Sequence, residues 1–348
     1  MTETALVTGG AGFIGRHLVR ALLADGTQVR VLDMATRPAD LEREADYVQG
    51  SVLDGARVAR ALSGAGELYH LAGNPHLWAR DPRVFHQVNG EGTRIVLEEA
   101  LRAGAKRIVV TSTEVILRGW RDRREQPVTE ADLPPALTQL AGPYSRSKAV
   151  AHAHAMRAIS EGAPVSIVYP TVPVGPGDLN LTAPTRMLIA YLEGKAPAYL
   201  DSTLNLVAVE DVARGHLLAA RKGEPRERFI LAGENLKLHH LLALLRSLTG
   251  RVMPTRRIPY ALAFAAGVVS TALSNYVTGE VPTAPLEGVK LAFAPRQIDG
   301  GKARRLLGLE PEPAAEALRR AVLWLVAHGH VRPLGDRLEA AHGLGSPP

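Results

Sequence analysis

Residues 5–15 read ALVTGGAGFIG, a short apolar run followed by a turn in which glycine recurs every third residue. The apolar run predicts a buried strand at 5–8. After the turn, Ile14, Leu18 and Leu22 recur at the spacing of one helical face. A strand that passes through a glycine turn directly into a helix predicts the first βα unit of a parallel sheet.

The three spaced glycines of this turn point to a ligand. Gly9 can take the tight turn, Gly12 lets a pyrophosphate approach the backbone, and Gly15 lets the helix pack closely on the sheet. The start of the helix also offers free N–H groups to phosphates. Asp33, at the end of the next predicted strand, can accept hydrogen bonds from ribose hydroxyls and would repel a 2′-phosphate. We therefore predict a dinucleotide site that favours NAD, with nearby Arg37 keeping NADP as the less favoured alternative.

Strand-like and helix-like segments alternate through the first half of the chain, as parallel βαβ units do. Further strands are predicted at 28–33, 67–72, 107–112 and 164–169, with helices at 92–103 and 144–161. We predict an α/β fold, a Rossmann-type doubly wound parallel sheet with a smaller, mostly helical C-terminal lobe. Helices of that lobe are predicted at 184–193, 210–221, 238–248, 259–273 and 314–328, and a long loop at 121–143.

These patterns suggest a division of the chain into two lobes and a tail. Residues 1–175 are predicted to form the cofactor domain, to which later strands at about 203–232 return. Residues 176–335 are predicted to form mainly the substrate lobe, and 336–348 a disordered tail.

Composition excludes several classes of chemistry. The chain has no cysteine, which excludes disulfides, thiolate metal sites and cysteine nucleophiles. The histidines lack carboxylate partners at ligand spacing, so no metal site is predicted. The net charge of +6 is spread along the chain, which argues against nucleic-acid binding. The N-terminus shows no signal-peptide pattern, and we expect a cytoplasmic protein.

The longest apolar stretch, 260–273, has 14 residues, fewer than the roughly 20 that span a bilayer. A packed or subunit-facing helix is the favoured interpretation. A lid over a hydrophobic substrate and a peripheral membrane contact are the alternatives.

Tyr144 and Lys148 stand four residues apart, on one face of a predicted helix. A nearby ammonium lowers the pKa of a phenol, which could then exchange a proton with an alcohol or a carbonyl. Ser112, at the end of the predicted strand before them, could hydrogen-bond the same substrate oxygen. It lacks the G-x-S-x-G context of an acylated serine.

At this point the sequence resembles the extended short-chain dehydrogenase/reductase family from residue 4 to about 328. The motifs that carry the resemblance are TGGAGFIG at 8–15, HLAG at 70–73, VNGEGT at 88–93, TSTEV at 111–115 and YSRSK at 144–148.

The resemblance implies a catalytic triad of Ser112, Tyr144 and Lys148, with the lysine also holding the nicotinamide ribose. It also implies an NAD-dependent enzyme that forms a homodimer. The implied cofactor-binding residues are Gly9, Gly12, Phe13, Ile14, Gly15, Asp33, Ser51, Val52, Leu71, Ala72, Gly73, Asn89, Thr111, Tyr144, Lys148, Pro170 and Val172. Ser51 stands where many relatives carry an Asp, and Asn89 alone could equally be a helix cap.

One departure from the family pattern bears on the substrate. Sugar-nucleotide epimerases usually have an Arg and an Asn around the sixth strand, where this chain has Tyr169 and Val172. The PTVPVGP form at 170–176 is more similar to dihydroflavonol reductases and 3β-hydroxysteroid dehydrogenases. Segments such as KAPAY at 195–199 also resemble the hopanoid-associated sugar epimerase (HpnA-like) group.

We therefore predict an oxidoreductase that interconverts an alcohol and a carbonyl on a small or polycyclic substrate, resembling a sterol, hopanoid or flavonoid. The first alternative is an NAD-dependent epimerase or dehydratase of a sugar or sugar nucleotide. The second is a dinucleotide-sensing protein that has kept the fold without catalysis.

Overall fold

The computed structural model describes residues 4–293 and 297–334, and within these ranges the strands form two sheets. The strands are β1 (Thr4–Thr8), β2 (Gln28–Asp33), β3 (Asp46–Gln49), β4 (Ala65–His70), β5 (Arg107–Thr111), β6 (Val165–Pro170), β7 (Val172–Val174), β8 (Thr203–Ala208), β9 (Arg228–Leu231) and β10 (Glu234–Lys237). The larger sheet has seven parallel strands in the order β3-β2-β1-β4-β5-β6-β9. The strand order reverses between β1 and β4, which is where open α/β sheets bind ligands.

Helices cover both faces of the larger sheet and build most of the second lobe. They are α1 (Phe13–Ala24), α2 (Gly55–Leu62), α3 (Arg83–Phe85), α4 (Gly92–Arg102), α5 (Pro143–Ser160), α6 (Ala183–Leu192), α7 (Val209–Arg221), α8 (Leu238–Thr249), α9 (Tyr260–Leu273), α10 (Leu286–Leu291), α11 (Gly301–Leu307) and α12 (Ala314–Ala327). A π-helical turn at His86–Glu91 joins α3 to α4, and another at Ser274–Thr278 extends α9.

The side chains of the buried strands alternate between two apolar cores. Leu6 packs on one side with residues of α2, α4 and α5, whereas Ala5 and Val7 pack on the other with α1 and α7. This alternation follows from the two-residue period of a strand, and it explains why these strands are apolar on both faces. A third core joins the small sheet to α6, α8 and α12.

The predicted α/β fold with a doubly wound parallel sheet is confirmed. The structure differs in the strands predicted to return at about 203–232. Only β9 joins the larger sheet, whereas β8 pairs with β7 and β10 in a three-stranded sheet of the second lobe. An isolated apolar strand carries no local signal for the sheet it joins. The tail at 336–348 lies outside the described residues.

Among the described residues, one helical segment, Tyr260–Thr278, is long and apolar enough to cross a membrane by length and composition alone. Only 17% of its apolar window is buried in the protein. Leu262, Val269 and Leu273 are among its exposed side chains.

Candidate active site

The glycine turn after β1 forms a cradle of backbone beside the end of β4. Gly9 has a positive φ of 74°, and a Cβ there would lie 2.6 Å from the backbone nitrogen of Ala72. A Cβ on Gly15 would lie 2.1 Å from the carbonyl oxygen of Gly9, so only glycine lets α1 begin this close to the turn. On Gly12 the added atom would meet only that same oxygen, at 3.1 Å. The glycines therefore let the turn pack closely against the end of β4 and the start of α1, which is the local geometry that the predicted pyrophosphate site requires.

Asp33 lies at the rim of this cradle. One carboxylate oxygen accepts a hydrogen bond from the Ala11 amide at 3.0 Å, and the other accepts from Ala35 at 3.0 Å. Arg37 lies nearby, but its guanidinium donates to the carbonyl oxygens of Glu42 and Ala45. A carboxylate at the rim with the neighbouring cation engaged elsewhere is an arrangement suited to a ribose diol.

The other predicted cofactor residues surround this crevice in different ways. Leu71 and Ala72 follow β4, and their amides donate to the backbone and hydroxyl oxygens of Thr8. Ser51 accepts a hydrogen bond from the Leu53 amide at 3.1 Å, in a local turn. Four apolar side chains pack in or against the protein's cores: Phe13, Ile14, Val52 and Val172. Pro170 is buried at the end of β6.

Lys148 lies at the floor of the crevice, between the ends of β4 and β5. Its ammonium donates to the carbonyl oxygen of Thr111 at 3.0 Å, and a Cβ on Gly73 would lie 3.6 Å from its Nζ. Burial lowers the pKa of Lys148 to about 8. The Thr111 hydroxyl bonds to His216 of α7 at 2.8 Å, so the side chain of this predicted cofactor residue is engaged in the interior.

Asn89 lies on the π-helical turn before α4, and its side chain forms hydrogen bonds with two segments close to Lys148. Its side-chain oxygen accepts from the Asn74 amide at 2.7 Å, and its side-chain nitrogen donates to Ser147 at 2.9 Å. The side chain therefore links the segment after β4 to the catalytic helix α5. π-helical turns occur frequently at functional sites, and this one presents Asn89 to both elements.

Tyr144 lies in the first turn of α5, and its side chain is half-buried. Burial raises the pKa of the phenol, and the carboxylates of Glu287 and Glu114 raise it further, whereas a hydrogen bond from Thr113 lowers it. The expectation that Lys148 lowers this pKa is not met, because burial dominates. The Lys148 ammonium faces the Thr111 carbonyl instead.

Thr113 is the first residue near the phenol that the sequence did not reveal, since its side chain lowers the pKa of Tyr144. Its backbone is extended, with φ −162° and ψ 146°. Ser112 precedes it, and the Ser112 amide donates to Val168 of β6 at 2.8 Å. The Ser112 Oγ is buried with no hydrogen-bond partner among the described residues. The catalytic role of Ser112 stays a prediction, and Thr113 is a second hydroxyl at the same strand end.

Glu287 is the second residue that the sequence did not reveal. It lies on α10 of the second lobe, yet its carboxylate accepts from the backbone amides of Tyr144 at 3.0 Å and Ser145 at 2.8 Å. The Ser145 hydroxyl donates to the same carboxylate at 2.8 Å. No local motif surrounds Glu287, and it is far from Tyr144 along the chain.

At the sixth strand, Tyr169 occupies the position where sugar-nucleotide epimerases usually carry an Arg. Its side chain is fully buried, and its hydroxyl pairs with Nε2 of His152 at 2.7 Å. Val172, in the usual position of the Asn, belongs to β7 and pairs with Leu206 of β8. The Tyr169 hydroxyl is therefore paired in the interior, and the half-buried Val172 offers no polar side chain in the place of the Asn.

A cavity of about 250 Å³ lies beside the N-terminal end of α5. Its lining includes Leu77, Trp78, Phe85 and Leu286, together with Glu287 and Lys290. The Trp78 indole donates to the side chain of Asn275 at 2.7 Å, which joins the segment after β4 to the end of α9. The cavity is mostly apolar and has charged groups at one side.

Comparison with known proteins agrees with this geometry. The model of the NAD dependent epimerase/dehydratase family matches residues 5–232. A Synechocystis protein provisionally named dihydroflavonol 4-reductase is 35% identical over 95% of this chain and 97% of its own length. Sterol demethylase protein B of Methylococcus capsulatus is 29% identical over 94% of this chain and 100% of its own length.

Among solved structures, the crystal structure of gox2253 superposes with a TM-score of 0.81 and 32% identity. The match covers 95% of this chain and 100% of that one. With the family match extending over more than half of the chain, these similarities identify the protein as an enzyme of the NAD dependent epimerase/dehydratase family, within the extended short-chain dehydrogenases/reductases.

Proposed function

We propose that the enzyme interconverts an alcohol and a carbonyl group on a small or polycyclic, largely apolar substrate, with NAD as its preferred cofactor. The observation that carries this choice is the buried pair of Tyr169 and His152, 2.7 Å apart. It fills the position of a sugar-nucleotide anchor with a hydroxyl that is already paired inside the protein. The names of the Synechocystis and Methylococcus relatives, a reductase of a polycyclic ketone and a sterol-processing protein, support the same substrate class.

In this proposal Tyr144 moves the proton. The phenol is protonated at neutral pH, as an unshifted phenol would also be, and it can give its proton to a carbonyl oxygen. Two hydroxyls are candidates to orient that oxygen: Ser112, whose buried Oγ has no hydrogen-bond partner among the described residues, and Thr113, which lies beside the phenol.

The other residues hold the cofactor and the geometry. The glycine cradle would bind the pyrophosphate, Asp33 the adenosine ribose and Lys148 the nicotinamide ribose, while Asn89 keeps the segment after β4 against α5. When bound, the nicotinamide supplies or accepts the hydride. The residues present fit such a group, because the turn carries glycines where the backbone packs closely and the Asp33 carboxylate lies against the Ala11 amide of that turn.

The decisive experiment follows the absorbance of the reduced nicotinamide with a panel of steroid, hopanoid and flavanonol ketones and sugar nucleotides. We expect stoichiometric loss of the reduced cofactor with a polycyclic ketone. Conversion of a sugar nucleotide without net change in cofactor would favour the epimerase alternative and overturn the proposal. Tyr144→Phe is the matched variant, since it keeps the ring: it should lose turnover by orders of magnitude and still bind NAD.

We also propose that the exposed apolar side of α9 contacts a lipid surface from which an apolar substrate is taken. Arg256 and Arg257 precede the helix, and residues 251–279 contain no Asp or Glu. An apolar face beside basic residues suits an anionic bilayer surface. Sedimentation with vesicles of phosphatidylcholine, with and without phosphatidylglycerol, tests this: Val269→Asp should weaken binding, and Leu306→Asp, on α11, should not.

The homodimer and the cytoplasmic location stay predictions. Pairing of two copies through the helices that carry Tyr144 and Lys148 is the arrangement the family resemblance implies. Sedimentation velocity at several protein concentrations tests the dimer, and cell fractionation tests the location.

A further inference from the structure

The first turn of α5 is capped by a side chain from the other lobe. The residue before the helix, Gly142, has no side chain to accept hydrogen bonds from the first amides. Those amides belong to Tyr144 and Ser145, and both donate to the carboxylate of Glu287. Helix N-termini need such acceptors and attract negative charge, a task usually done by a local Ser, Thr, Asp or Asn.

Gly142 also makes the room that this carboxylate occupies. A Cβ at that position would lie 2.4 Å from Oε2 of Glu287 and 2.6 Å from its Cδ. Glu287 itself is only 4% exposed, and the described hydrogen bonds of its carboxylate are those to Tyr144 and Ser145. The glycine and the glutamate therefore form a matched pair between the two lobes.

Glu287 belongs to residues 260–293, which we call the cover segment. Other contacts of the segment with the cofactor lobe are made by side chains. Trp120 stacks on Phe264 with ring centres 6.3 Å apart, Arg123 lies over the Phe293 ring at 3.7 Å, and Trp78 donates to Asn275. Among these contacts, only Glu287 reaches the backbone of the catalytic tyrosine.

We propose that Glu287 is a positioning residue, whose carboxylate fixes the first turn of α5, and with it the Tyr144 phenol, when the cover segment is docked. The inference rests on the proposed role of Tyr144 as the proton donor. Undocking of the segment would remove the acceptors of two amides, one of them the tyrosine's own. Binding of substrate between the cover segment and Tyr144 is thereby coupled to the geometry of the catalytic helix.

The charge of Glu287 has a measurable effect on the pKa of the Tyr144 phenol, which a purely structural role would not produce. Glu287 raises the pKa of the Tyr144 phenol, as does Glu114, and Thr113 opposes them. Arg146 and Lys290 are the cations that face Glu287. Removing the charge from Glu287 should therefore lower the pKa of the phenol.

The test compares Glu287→Gln, Glu287→Asp and the control Glu280→Gln, an exposed glutamate of the same segment. For Glu287→Gln we expect kcat to fall about tenfold or more through misplacement of the phenol, with NAD affinity unchanged. The loss of reductase activity at alkaline pH should begin about one pH unit lower than in the parent enzyme. Glu287→Asp should restore the alkaline limb, since it keeps the charge, and Glu280→Gln should match the parent.

Thermal unfolding of each variant shows whether the protein is folded, and rates are compared per folded molecule. Unchanged kcat and an unmoved alkaline limb in folded Glu287→Gln would overturn the role of Glu287. That result leaves the proposed function intact as long as Tyr144→Phe is inactive. Full activity of Tyr144→Phe would overturn the proposed function itself.

Discussion

The side chain of Thr113 lies beside the phenol of Tyr144, close enough to lower the pKa of that phenol, where β5 ends. Ser112, its neighbour in the chain, is held by the sheet, because its amide continues the pairing with β6 and its hydroxyl is buried. The two residues are adjacent and chemically alike, and this makes them a matched pair for experiment.

Thr113→Ala should lower kcat for carbonyl reduction by about a hundredfold, because the substrate oxygen loses an oriented donor at the reacting centre. Thr113→Ser should keep most of the activity, since it retains the hydroxyl. Ser112→Ala, which removes the hydroxyl predicted from the sequence, is the companion variant. Steady-state kinetics with a fixed ketone decide between the two hydroxyls: a larger loss in Ser112→Ala than in Thr113→Ala would assign the orienting role to Ser112 and contradict the role of Thr113.

Asp33→Asn should shift the cofactor preference toward NADP. The substitution removes the charge that repels a 2′-phosphate. It also weakens the hydrogen bonds to a ribose diol, so NAD affinity should fall about tenfold. Arg37→Ala is the companion variant. Because its guanidinium is engaged by the carbonyl oxygens of Glu42 and Ala45, its loss should leave the ratio of NAD to NADP affinity unchanged. Cofactor titrations by protein fluorescence measure both.

NAD affinity should weaken as pH rises through about 8, where Lys148 loses its proton. The neutral amine is a poorer donor to a ribose hydroxyl than the ammonium. Lys148→Met should bind NAD more weakly and lose this pH dependence, whereas Lys195→Met, at an exposed lysine, should keep it. Dissociation constants on both sides of pH 8 provide the measurement, and a Lys148→Met variant with an unchanged transition contradicts the assignment.

The protein should lose stability in mild acid because buried histidines stay neutral in the fold. Burial lowers the pKa of His70 to about 3, and of His152 and His216 to about 4. In the unfolded chain each takes up a proton below about 6.5. Their full contribution is therefore present above about 6.5 and is lost as pH falls toward the folded pKa, at about 1.4 kcal/mol per pH unit for each.

Denaturant unfolding at neutral pH and at about pH 5 measures this loss. His70→Gln should lower the stability at neutral pH, because the ring joins Thr8 to Thr93 by hydrogen bonds of 2.7 and 2.9 Å. It should also flatten the decline of the free energy of unfolding with acid. His328→Gln, at an exposed position, should leave that slope as it is.

Local sequence patterns predicted the turns, strands and helices whose structure depends on neighbouring residues in the chain. The glycine turn, five of the seven strands of the larger sheet and the catalytic helix α5 were predicted within two residues of their observed bounds, whereas β3 was not predicted and β9 was predicted without bounds of its own. The pairing of β8 was not predictable in this way, because the sequence of an apolar strand does not depend on which of the two sheets it joins.

The residues of the site divide in the same way, into those that a local motif marks and those that a distant contact places. The places of Asp33, Lys148 and Tyr144 follow from motifs, because each stands next to a strand end or in the first turn of a helix. Thr113 was not predicted, because the predicted strand ended at Ser112, one residue after the observed end of β5 at Thr111. Glu287 could not be predicted from the sequence. It caps helix α5 at Tyr144, 143 residues earlier in the chain, and no local motif marks it.

The contribution of β9 and α7 to the larger sheet has a consequence for how the chain can be divided. A fragment ending at residue 175 would lack the outer strand and the helix that covers Val7, Val109 and Val168. Such a fragment would expose apolar surface and aggregate rather than fold. The cofactor lobe thus needs residues from both halves of the chain, and a single crossover in the gene would not exchange it whole between relatives.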